Sequence, residues 1–380
     1  MKVYLVGGAV RDELLGLPVT ERDYVVVGAT EQQMLERGFR RLDVAFPVFL
    51  HPESGDEYAL ARRERKSGPG YKGFEVDAGL HITLEQDLAR RDLTVNALAR
   101  DGDGNLIDLF HGRDDLDAGL LRHITPAFAE DPVRVLRAAR FAAKLGRWGF
   151  RIAHGTFALM QKMARRDEMR SVLPDRLREE MLKALGSEQP WRFFEILQRC
   201  GALRRLLPAV ADAMGLADGH ASQRMAEPMA ALKRAAAAAP EPADRFAALL
   251  AAAEADPEAG GEICSGLRMG RDSADLLGWA LEWPADSVLT AEAEQLLQLL
   301  ERLKALHHPQ RLQRLGGVWS AVAGGWGSAA LERAQCALAA AAGVEAAALA
   351  GEGWRGPELG RRLRQRRLEA IAAELRRMES

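Results

Sequence analysis

Two acidic residues near the amino terminus have the spacing of a metal-binding pair. Glu21 and Asp23 stand directly before the apolar run 24–27, which has the pattern of a short strand. Side chains at positions i and i+2 of an extended segment point to the same side, so both carboxylates can bind one divalent cation. When such a pair occurs alone, it is more often a solvated surface feature. Its interpretation therefore depends on the residues that accompany it.

A pair of glycines supplies that context. Gly7 and Gly8 follow the apolar run 2–6, a second predicted strand, and begin a segment that contains Arg11. At a strand-to-helix turn, backbone amides and the positive end of the helix can bind a phosphate group, and an arginine adds a forked donor. Two glycines alone also fit an ordinary tight turn. Together with the acidic pair they predict a Mg2+-dependent site for phosphoryl transfer.

An arginine-rich segment comes later in the chain. Thr83 and Gln86 have the spacing of a capping box, which predicts a helix that carries Arg90, Arg91 and Asp92. Without further context, this charged triplet would be interpreted as a salt-bridged surface turn.

A second such helix is predicted to begin at Asp131, as N-cap, with Pro132 at the first helical position. Arg134, Arg137 and Arg140 follow at steps of three, which places them on one broad side of the helix. From residue 131 onward the pattern is helical, whereas the first 125 or so residues mix short strands with helices.

Four motifs occur in a fixed order along the chain. They are GGAVRD at 7–12, ERDYVVVG at 21–28, RRDLTVNALA at 90–99 and FAEDPVRVLRAARFAA at 128–143. With these motifs the chain resembles the bacterial CCA-adding enzymes of the class II nucleotidyltransferase superfamily, closely over residues 1–205 and less beyond them. The resemblance implies an α+β fold with a polymerase-β-like head that contains a small mixed sheet, followed by an all-α neck, body and tail.

The resemblance also implies roles for the charged residues. Glu21 and Asp23 are expected to bind Mg2+, although the family pattern is Asp-x-Asp, and glutamate reaches one methylene further. Arg137 and Arg140 are expected to bind the triphosphate, whose geometry suits permanently charged guanidinium groups. The sugar and the phosphates are assigned to Gly8, Arg11, Arg91 and Asp92.

The family's EDxxR motif assigns the choice of base to Asp131 and Arg134. Adenine and cytosine both present an exocyclic amine beside a ring nitrogen that accepts a hydrogen bond, whereas guanine and uracil present the reverse pattern. A carboxylate beside a guanidinium group can therefore select A and C by direct hydrogen bonds to the base edge.

The implied function is the template-independent addition of CCA to the 3′ end of tRNA from CTP and ATP. In this reaction the tRNA 3′-hydroxyl attacks the nucleotide α-phosphate in line, with Mg2+ and without a covalent enzyme intermediate. The loop 66–73 is a candidate for an element that lets one pocket accept both nucleotides. Alternatives are a poly(A) polymerase, an enzyme that adds only CC or only A, and a non-catalytic tRNA-binding protein, whose main support is Glu21.

The loss of the strand pattern near residue 125 predicts the main domain boundary. With it, the resemblance implies a catalytic head at 1–125, a helical neck at 126–205, and a helical body and tail at 206–380. Residues 208–225 and 255–275 are expected to be breaks between helices, and the alanine-rich segments 229–240 and 336–350 to be closely packed helices. The segment 245–261 contains no histidine, so the His-Asp phosphohydrolase signature of many relatives is missing. A basic stretch at 361–367 could equally contact tRNA phosphates or form a solvated helix.

The overall composition limits the other possibilities. The formal net charge of -2 indicates that any RNA-binding surface must be a local concentration of cations. The cysteines, Cys200, Cys264 and Cys336, lie far apart and do not suggest a metal site. Neither an apolar run of 18 residues nor an obligate protein partner is evident, so the expectation is a cytoplasmic protein away from membranes.

Overall fold

The computed structural model describes residues 1–44, 46–66, 68, 74–216, 225–238 and 241–379. Most of the predicted loop 66–73, and part of the predicted break 208–225, lie outside the described residues. The chain divides into two compact units. The first comprises Met1–Glu180 and Arg192–Leu206, and the second comprises Met181–Trp191 and Leu207–Ser380.

The first unit contains a mixed sheet. Among the described residues it has seven strands, which are β1 (Lys2–Val6), β2 (Asp23–Val27), β3 (Arg40–Arg41), β4 (Val48–Leu50), β5 (Glu57–Leu60), β8 (Leu98–Arg100) and β9 (Leu106–Asp108). Their order is β3-β4-β5-β2-β1-β8-β9. Strands β2 and β5 run parallel and the other neighbours run antiparallel. Two smaller sheets pair β6 (Arg63–Lys66) with β7 (Phe74–Asp77) and β10 (Leu120–Leu121) with β11 (Arg151–Ile152).

Successive side chains of β2 pack on opposite faces of this sheet, as the period of a strand requires. Val25 belongs to a buried cluster with Val6 and Leu88, and Val26 belongs to a second cluster with Phe49. The predicted strands 2–6 and 24–27 are therefore confirmed. Strands β4 and β5 pair antiparallel as a hairpin.

The pairing of β1 with β2 places the glycine turn beside the acidic residues. The strands are antiparallel, and Val6 at the end of β1 lies opposite Asp23 at the start of β2. Gly7 directly follows Val6, and Glu21 precedes Asp23 by two residues. Sheet register thus brings together two motifs that are separated in the sequence.

The helices of the first unit, two of which extend into the second, are α1 (Gly8–Leu14), α2 (Glu31–Glu36), α3 (Leu84–Ala89), α4 (Gly112–Asp117), α5 (Val133–Lys144), α6 (His154–Ala164), α7 (Pro174–Leu185), α8 (Trp191–Arg199) and α9 (Leu203–Leu206). The capping box of Thr83 and Gln86 at the start of α3 is confirmed. The expectation that α3 carries residues 90–92 is wrong, because α3 ends at Ala89. The chain leaves the helix there, since Leu93 is extended and forms a β-bridge with His123.

The second unit is helical in the residues described. Its helices are α10 (Pro208–Ala213), α11 (Ala226–Ala238), α12 (Pro242–Ala252), α13 (Pro257–Gly266), α14 (Arg271–Glu282), α15 (Ala285–Leu289), α16 (Ala293–Leu303), α17 (Pro309–Ala323), α18 (Gly325–Ala342), α19 (Ala346–Gly351) and α20 (Gly356–Glu379).

The predicted break at 255–275 is wrong, because α13 and α14 occupy most of it. Asp256 caps α13 by accepting a hydrogen bond from the Ala259 amide at 2.8 Å. Gly260 lies inside α13, and a Cβ there would approach a methyl group of Leu281 to 2.4 Å. The glycine therefore permits close packing of α13 on α14 and does not interrupt the helix.

The alanine-rich segment around α18 packs closely on α17. Ala330, Ala334, Ala337 and Ala341 are buried at steps of three and four, which defines one helix face. By length and composition, residues 325–351 could also span a membrane, because an 18-residue window within them has a mean hydropathy of 1.4. The segment contains Glu332, Arg333 and Glu345, and an alanine-rich core helix passes the same test, so this is weak evidence for a membrane span.

The tightest contact between α17 and α18 yields a test of this packing. A Cβ at Gly327 would lie 2.1 Å from the backbone oxygen of Trp319. Because backbone cannot move aside cheaply, Gly327→Ala should lower the free energy of unfolding by about 2 kcal/mol or more. The control Gly317→Ala has nothing within 4 Å of the new Cβ and should raise stability by about 0.5–1 kcal/mol. Urea denaturation measures the free energy of unfolding of both variants. Equal changes in the two variants would contradict the close packing of α17 on α18.

Candidate active site

The glycine turn is constrained at Gly7. This residue has a φ of 76°, a left-handed conformation that strains other residues. Its amide donates to the carbonyl oxygen of Leu98 at 3.0 Å. A Cβ at Gly7 would lie 2.9 Å from an Nη1 atom of Arg91, whereas a Cβ at Gly8 would make only an ordinary contact. Gly8, the residue assigned from the sequence, begins α1, and Gly7 makes room for Arg91.

The acidic pair lies close to the same arginine. Asp23 remains exposed at the start of β2, but the protein around its carboxyl group raises its pKa by burial, Arg91 partly lowers the pKa again, and the charge of Glu21 raises it further. The two carboxylates are thus close enough to repel each other. Binding of a divalent cation would relieve this repulsion, so these residues fit a metal site.

The other ligands of such a cation must come from outside the pair. No cluster of three or more His, Cys, Asp or Glu side chains that could hold a metal occurs in the described part of the chain. Two carboxylates complemented by substrate phosphates is the usual arrangement for Mg2+ in phosphoryl transfer.

Arg91 forms an ion pair with a buried aspartate and acts electrostatically on Asp23. Its Nη2 atom lies 3.3 Å from Asp87, which also binds Arg90 at 2.7 Å. Burial would raise the pKa of Asp87, but both arginines outweigh it and lower the pKa. The Nε atom of Arg91 is buried and makes no hydrogen bond within the described residues. The same holds for the Nε atoms of Arg100, Arg333 and Arg367, so the functional interest of Arg91 lies in its position beside the glycine turn and the acidic pair.

Arg11 is more enclosed than the sequence predicted. It is 2% exposed, and its guanidinium group donates to Asp12 at 2.8 Å and to Asn96 at 2.6 Å. Asp12 also binds Lys144 at 3.0 Å. Arg11 is therefore fixed by protein partners on two sides of its guanidinium group.

Asp92 is fully surrounded by donors. Its carboxylate accepts hydrogen bonds from Arg137 Nε at 2.6 Å, from Asn96 at 3.0 Å and from the Leu93 amide at 2.8 Å. Burial alone would raise the pKa of Asp92, but Arg137 and these hydrogen bonds hold the pKa well below its ordinary value. Asp92 was expected beside the sugar of the nucleotide. In the structure it binds Arg137, and Asn96 links it to Arg11.

Arg137 and Arg140 share a further carboxylate. Glu180 on α7 is buried and lies 2.5 Å from Arg140 Nε and 3.5 Å from an Nη atom of Arg137. The charge of Asp92 raises the pKa of Arg137, while burial lowers that of Arg140. Both side chains stay charged, because the ordinary pKa of arginine is far above neutrality.

Asp131 and Arg134 lie at the start of α5, which begins at Val133. The Asp131 carboxylate accepts the Val133 amide at 2.9 Å, so it caps the helix as expected, and its second oxygen lies 3.4 Å from Arg176. Arg134 donates to the carbonyl oxygens of Ala127 at 2.9 Å and of Arg90 at 2.6 Å. The turn assigned to base selection is thus attached to the arginine segment.

Among the residues that the sequence nominated, shared hydrogen bonds and ion pairs join Arg11, Asp92, Arg137 and Arg140, and Arg134 is attached to the backbone of the same segment. Asp23 is linked to this group electrostatically through Arg91. Sequence reasoning did not name the residues that hold them: Asp12, Asp87, Asn96, Arg176 and Glu180. For Asp87 a signal existed, because it lies three and four residues before Arg90 and Arg91, the spacing of ion pairs on a helix. Asp12 and Asn96 also lie near one partner each, Arg11 and Asp92, and both belong to the recognised motifs. Arg176 and Glu180 are 40 or more residues from their partners, too far for local patterns to reveal them.

Several charged groups of the second unit pair with one another. Arg364 binds Glu294 at 2.5 Å and Glu301 at 3.2 Å, and Arg366 binds Glu369 at 3.5 Å. This pairing favours a solvated helix over an RNA surface for the basic stretch 361–367. A cavity of about 490 Å³ is lined by both signs of charge, including Arg302 and Asp272. His307 and His308 are exposed directly before α17.

Comparison with known proteins agrees with this arrangement. Residues 3–122 match the family model of the poly A polymerase head domain, and residues 149–214 match that of the probable RNA- and SrmB-binding site of polymerase A. The chain is 43% identical to the CCA-adding enzyme of Pseudomonas putida over 377 residues, which cover 98% of both chains.

Two longer proteins match over the amino-terminal part. The chain is 60% identical to the multifunctional CCA protein of Thioalkalivibrio sulfidiphilus and 58% identical to that of Nitrosococcus oceani, each over 216 residues. These residues are 57% of this chain and 53% and 52% of the two proteins. The match thus spans about half the length of these relatives.

Solved structures share the fold. The Bacillus stearothermophilus CCA-adding enzyme in complex with CTP is 25% identical, with a TM-score of 0.70 and coverage of 98% of this chain and 89% of that one. The Thermotoga maritima CCA-adding enzyme complexed with tRNA is 21% identical, with a TM-score of 0.64 and coverage of 99% and 91%. The predicted α+β fold with a polymerase-β-like head and a helical remainder is confirmed.

The enclosure of Asp92 leads to a stability test. In Asp92→Asn, Arg137 loses its charged partner inside the protein, which should lower the free energy of unfolding by about 3 kcal/mol near neutral pH. Because the pKa of Asp92 is depressed by folding, its contribution is complete above the unfolded-state pKa of about 3.9 and declines as the pH falls below it.

Urea titrations of the wild type and the variant should therefore differ by a constant amount from roughly pH 5 to 8, and this difference should shrink progressively as the pH falls below about 4 toward the depressed pKa of Asp92. Asp103→Asn, at an exposed turn position, serves as the control and should follow the wild type throughout. A neutral-pH midpoint for Asp92→Asn equal to that of the control would contradict the role of the ion pair.

Proposed function

We propose that this chain, which belongs to the CCA-adding enzyme family, adds CCA to the 3′ end of tRNA from CTP and ATP without a nucleic-acid template. The observation that carries the proposal is the position of Arg91. Its guanidinium group lies against the glycine turn, is bound by Asp87, and acts electrostatically on Asp23. A triphosphate bound there would meet this cation and the acidic pair.

The proposed site has separate groups for the phosphates and the base. Arg91, Arg137 and Arg140 would bind phosphate oxygens, since each keeps a permanent charge. Gly8 would contribute its backbone near the same phosphates. Arg11 and Asp92, which are enclosed by protein partners, would act by fixing this framework.

Enzymes of this nucleotidyltransferase family generally use a divalent metal ion, and we propose Mg2+ held by Glu21 and Asp23. When bound, the cation would favour ionisation of the tRNA 3′-hydroxyl and stabilise charge on the departing pyrophosphate. The side chains around it would orient the hydroxyl and the α-phosphate in line, so that catalysis is positioning and electrostatics. No covalent intermediate with the protein is required.

Base selection is assigned to Asp131 and Arg134. The carboxylate would accept from the exocyclic amine of A or C, and the guanidinium group would donate to the neighbouring ring nitrogen. Arg134 is already held by two carbonyl oxygens, so its orientation is fixed before a base arrives. Such preorganisation lowers the entropy lost on binding.

The proposed partners are tRNA, CTP and ATP, and the proposed location is the cytoplasm. The names of related structures record CTP, ATP and tRNA as ligands of those proteins. Within the chain we assign 1–125 to a catalytic head, 126–205 to a neck for base recognition, and 206–380 to a body and tail that contact tRNA.

A second candidate is a poly(A) polymerase, because residues 3–122 match a poly A polymerase head domain. The products separate the candidates on a tRNA transcript that lacks CCA. We expect three added nucleotides, whereas a ladder of adenylates indicates the polymerase. Products that stop at CC, or growth only on a tRNA that already ends in CC, indicate a partial activity.

The metal assignment predicts the behaviour of Asp23→Asn. This variant keeps the shape of the side chain but removes one of two anionic ligands, so nucleotide addition should fall by at least about a hundredfold. The assay is incorporation of labelled CTP and ATP into tRNA, with the urea midpoint as a check of folding. Asp103→Asn is again the matched control. A folded Asp23→Asn protein with activity within about tenfold of the wild type excludes Asp23 as an essential ligand.

The base assignment predicts a loss of selectivity. Arg134→Ala removes one contact to the base edge, which is worth about 1–3 kcal/mol, so the preference for CTP over UTP should fall by roughly ten- to a hundredfold. Asp131→Asn keeps an oxygen that can cap α5 but adds a donor, so it should also admit UTP.

Steady-state incorporation of all four nucleotides on one tRNA measures this preference. Arg165→Ala, at an exposed position after α6, is the control for the loss of an arginine. If Asp131→Asn and Arg134→Ala lose total activity but keep the wild-type order of nucleotides, these residues do not select the base.

A further inference from the structure

Three arginines of the candidate site surround one aromatic ring. The guanidinium carbon of Arg140 lies 4.2 Å from the centroid of Phe141, that of Arg11 lies 5.0 Å away, and that of Arg137 lies 5.7 Å away. All are within the range of about 6 Å at which a cation is attracted to the face of a ring. Phe141 is 5% exposed and follows Arg140 on α5.

Each of the three guanidinium groups forms an ion pair with a different carboxylate. Arg11 binds Asp12 on α1 at 2.7 Å, while Arg137 binds Asp92, which precedes the short turn before β8. Arg140 binds Glu180 on α7. These carboxylates come from separate parts of the fold, whereas the Phe141 ring is in range of all three cations.

The contact of all three guanidinium groups with the Phe141 ring offsets the repulsion between their charges. Three guanidinium groups around one side chain repel one another, and each could instead turn fully onto its carboxylate. An aliphatic side chain of similar volume would fill the space but would offer no negative ring face to the cations. The aromatic ring therefore attracts the three cations, an interaction that apolar packing alone would not provide.

We infer that Phe141 is a positioning residue for the phosphates of the incoming nucleotide. Its ring holds Arg11, Arg137 and Arg140 in one array, with Arg137 and Arg140 directed to bind phosphate oxygens and Arg11 completing the framework. This inference rests on the proposed function, because it takes the bound anion to be the triphosphate of CTP or ATP. Phe141 acts through the arginines and does not itself contact the substrate.

Equilibrium binding without turnover tests the inference. In Phe141→Leu, the affinity for CTP and for inorganic pyrophosphate should each fall by about tenfold, corresponding to about 1.4 kcal/mol. The affinity for CMP, which lacks the β- and γ-phosphates, should change by less than about twofold. Titration calorimetry in the presence of Mg2+ measures all three ligands. Phe141→Tyr keeps the ring face and should bind pyrophosphate as the wild type does.

A matched variant controls for the loss of a buried ring. Phe49 is 0% exposed and packs with Val26 and Met34 in the second core cluster of the sheet. Phe49→Leu leaves a comparable defect, so it should lower the urea midpoint while leaving pyrophosphate affinity unchanged. Equal effects of Phe141→Leu and Phe49→Leu on pyrophosphate affinity would show that Phe141 acts only through general stability.

The remaining outcomes also decide the question. If Phe141→Leu and Phe141→Tyr weaken pyrophosphate binding equally, side-chain volume matters and the ring face does not, so the inference is wrong. If Phe141→Leu weakens the binding of CMP as much as the binding of CTP, the residue does not act on the β- and γ-phosphates. If the wild-type protein binds neither CTP nor pyrophosphate, the proposed function itself is wrong. If the wild type binds both ligands and Phe141→Leu binds them equally well, only the inference about Phe141 is wrong.

Discussion

The ion pair between Asp92 and Arg137 is the contact on which the candidate site depends. It joins the segment after α3 to the helix α5 at a distance of 2.6 Å, with the Asp92 side chain buried and that of Arg137 partly exposed. Asn96 bonds to Asp92 and to Arg11, and Glu180 extends the network from Arg137 to Arg140. Removing charge from one member leaves the opposite charge uncompensated in a poorly solvated place, which is costly. The cluster therefore holds its geometry as a unit.

Such a network reconciles two opposing demands on the arginines. A site for a polyanion needs unshared positive charge, but several buried cations together destabilise a folded protein. In this chain, Asp12, Asp92 and Glu180 compensate part of the charge, while the buried Nε of Arg91 has no hydrogen-bond partner in the described residues. Gly7 meets a related demand, because its left-handed conformation and lack of a side chain leave space for Arg91.

Local patterns in the sequence were sufficient for the parts of the site that depend on local physics. Strands β1 and β2, the capping box at Thr83 and the cap at Asp131 follow from residue spacing and hydrogen-bonding chemistry. Glu180 was not predictable, because its partners lie 40 and 43 residues away and only the fold brings α7 to α5. The prediction of a break at 255–275 was wrong for another reason. Its glycines have the composition of a break, but Gly260 serves a close helix contact.

Base selection and phosphate binding share one piece of backbone in the proposed site. The carbonyl oxygen of Arg90 accepts from Arg134 at 2.6 Å, and two residues later Asp92 holds Arg137. A shift of the segment 90–92 would therefore move the proposed base contact and the proposed phosphate contact together. An enzyme that accepts two nucleotides of different size in one pocket needs its base-reading groups to keep their relation to the reacting phosphate. Attachment of both to the same short segment provides that relation, because neither group can reorient without displacing the other.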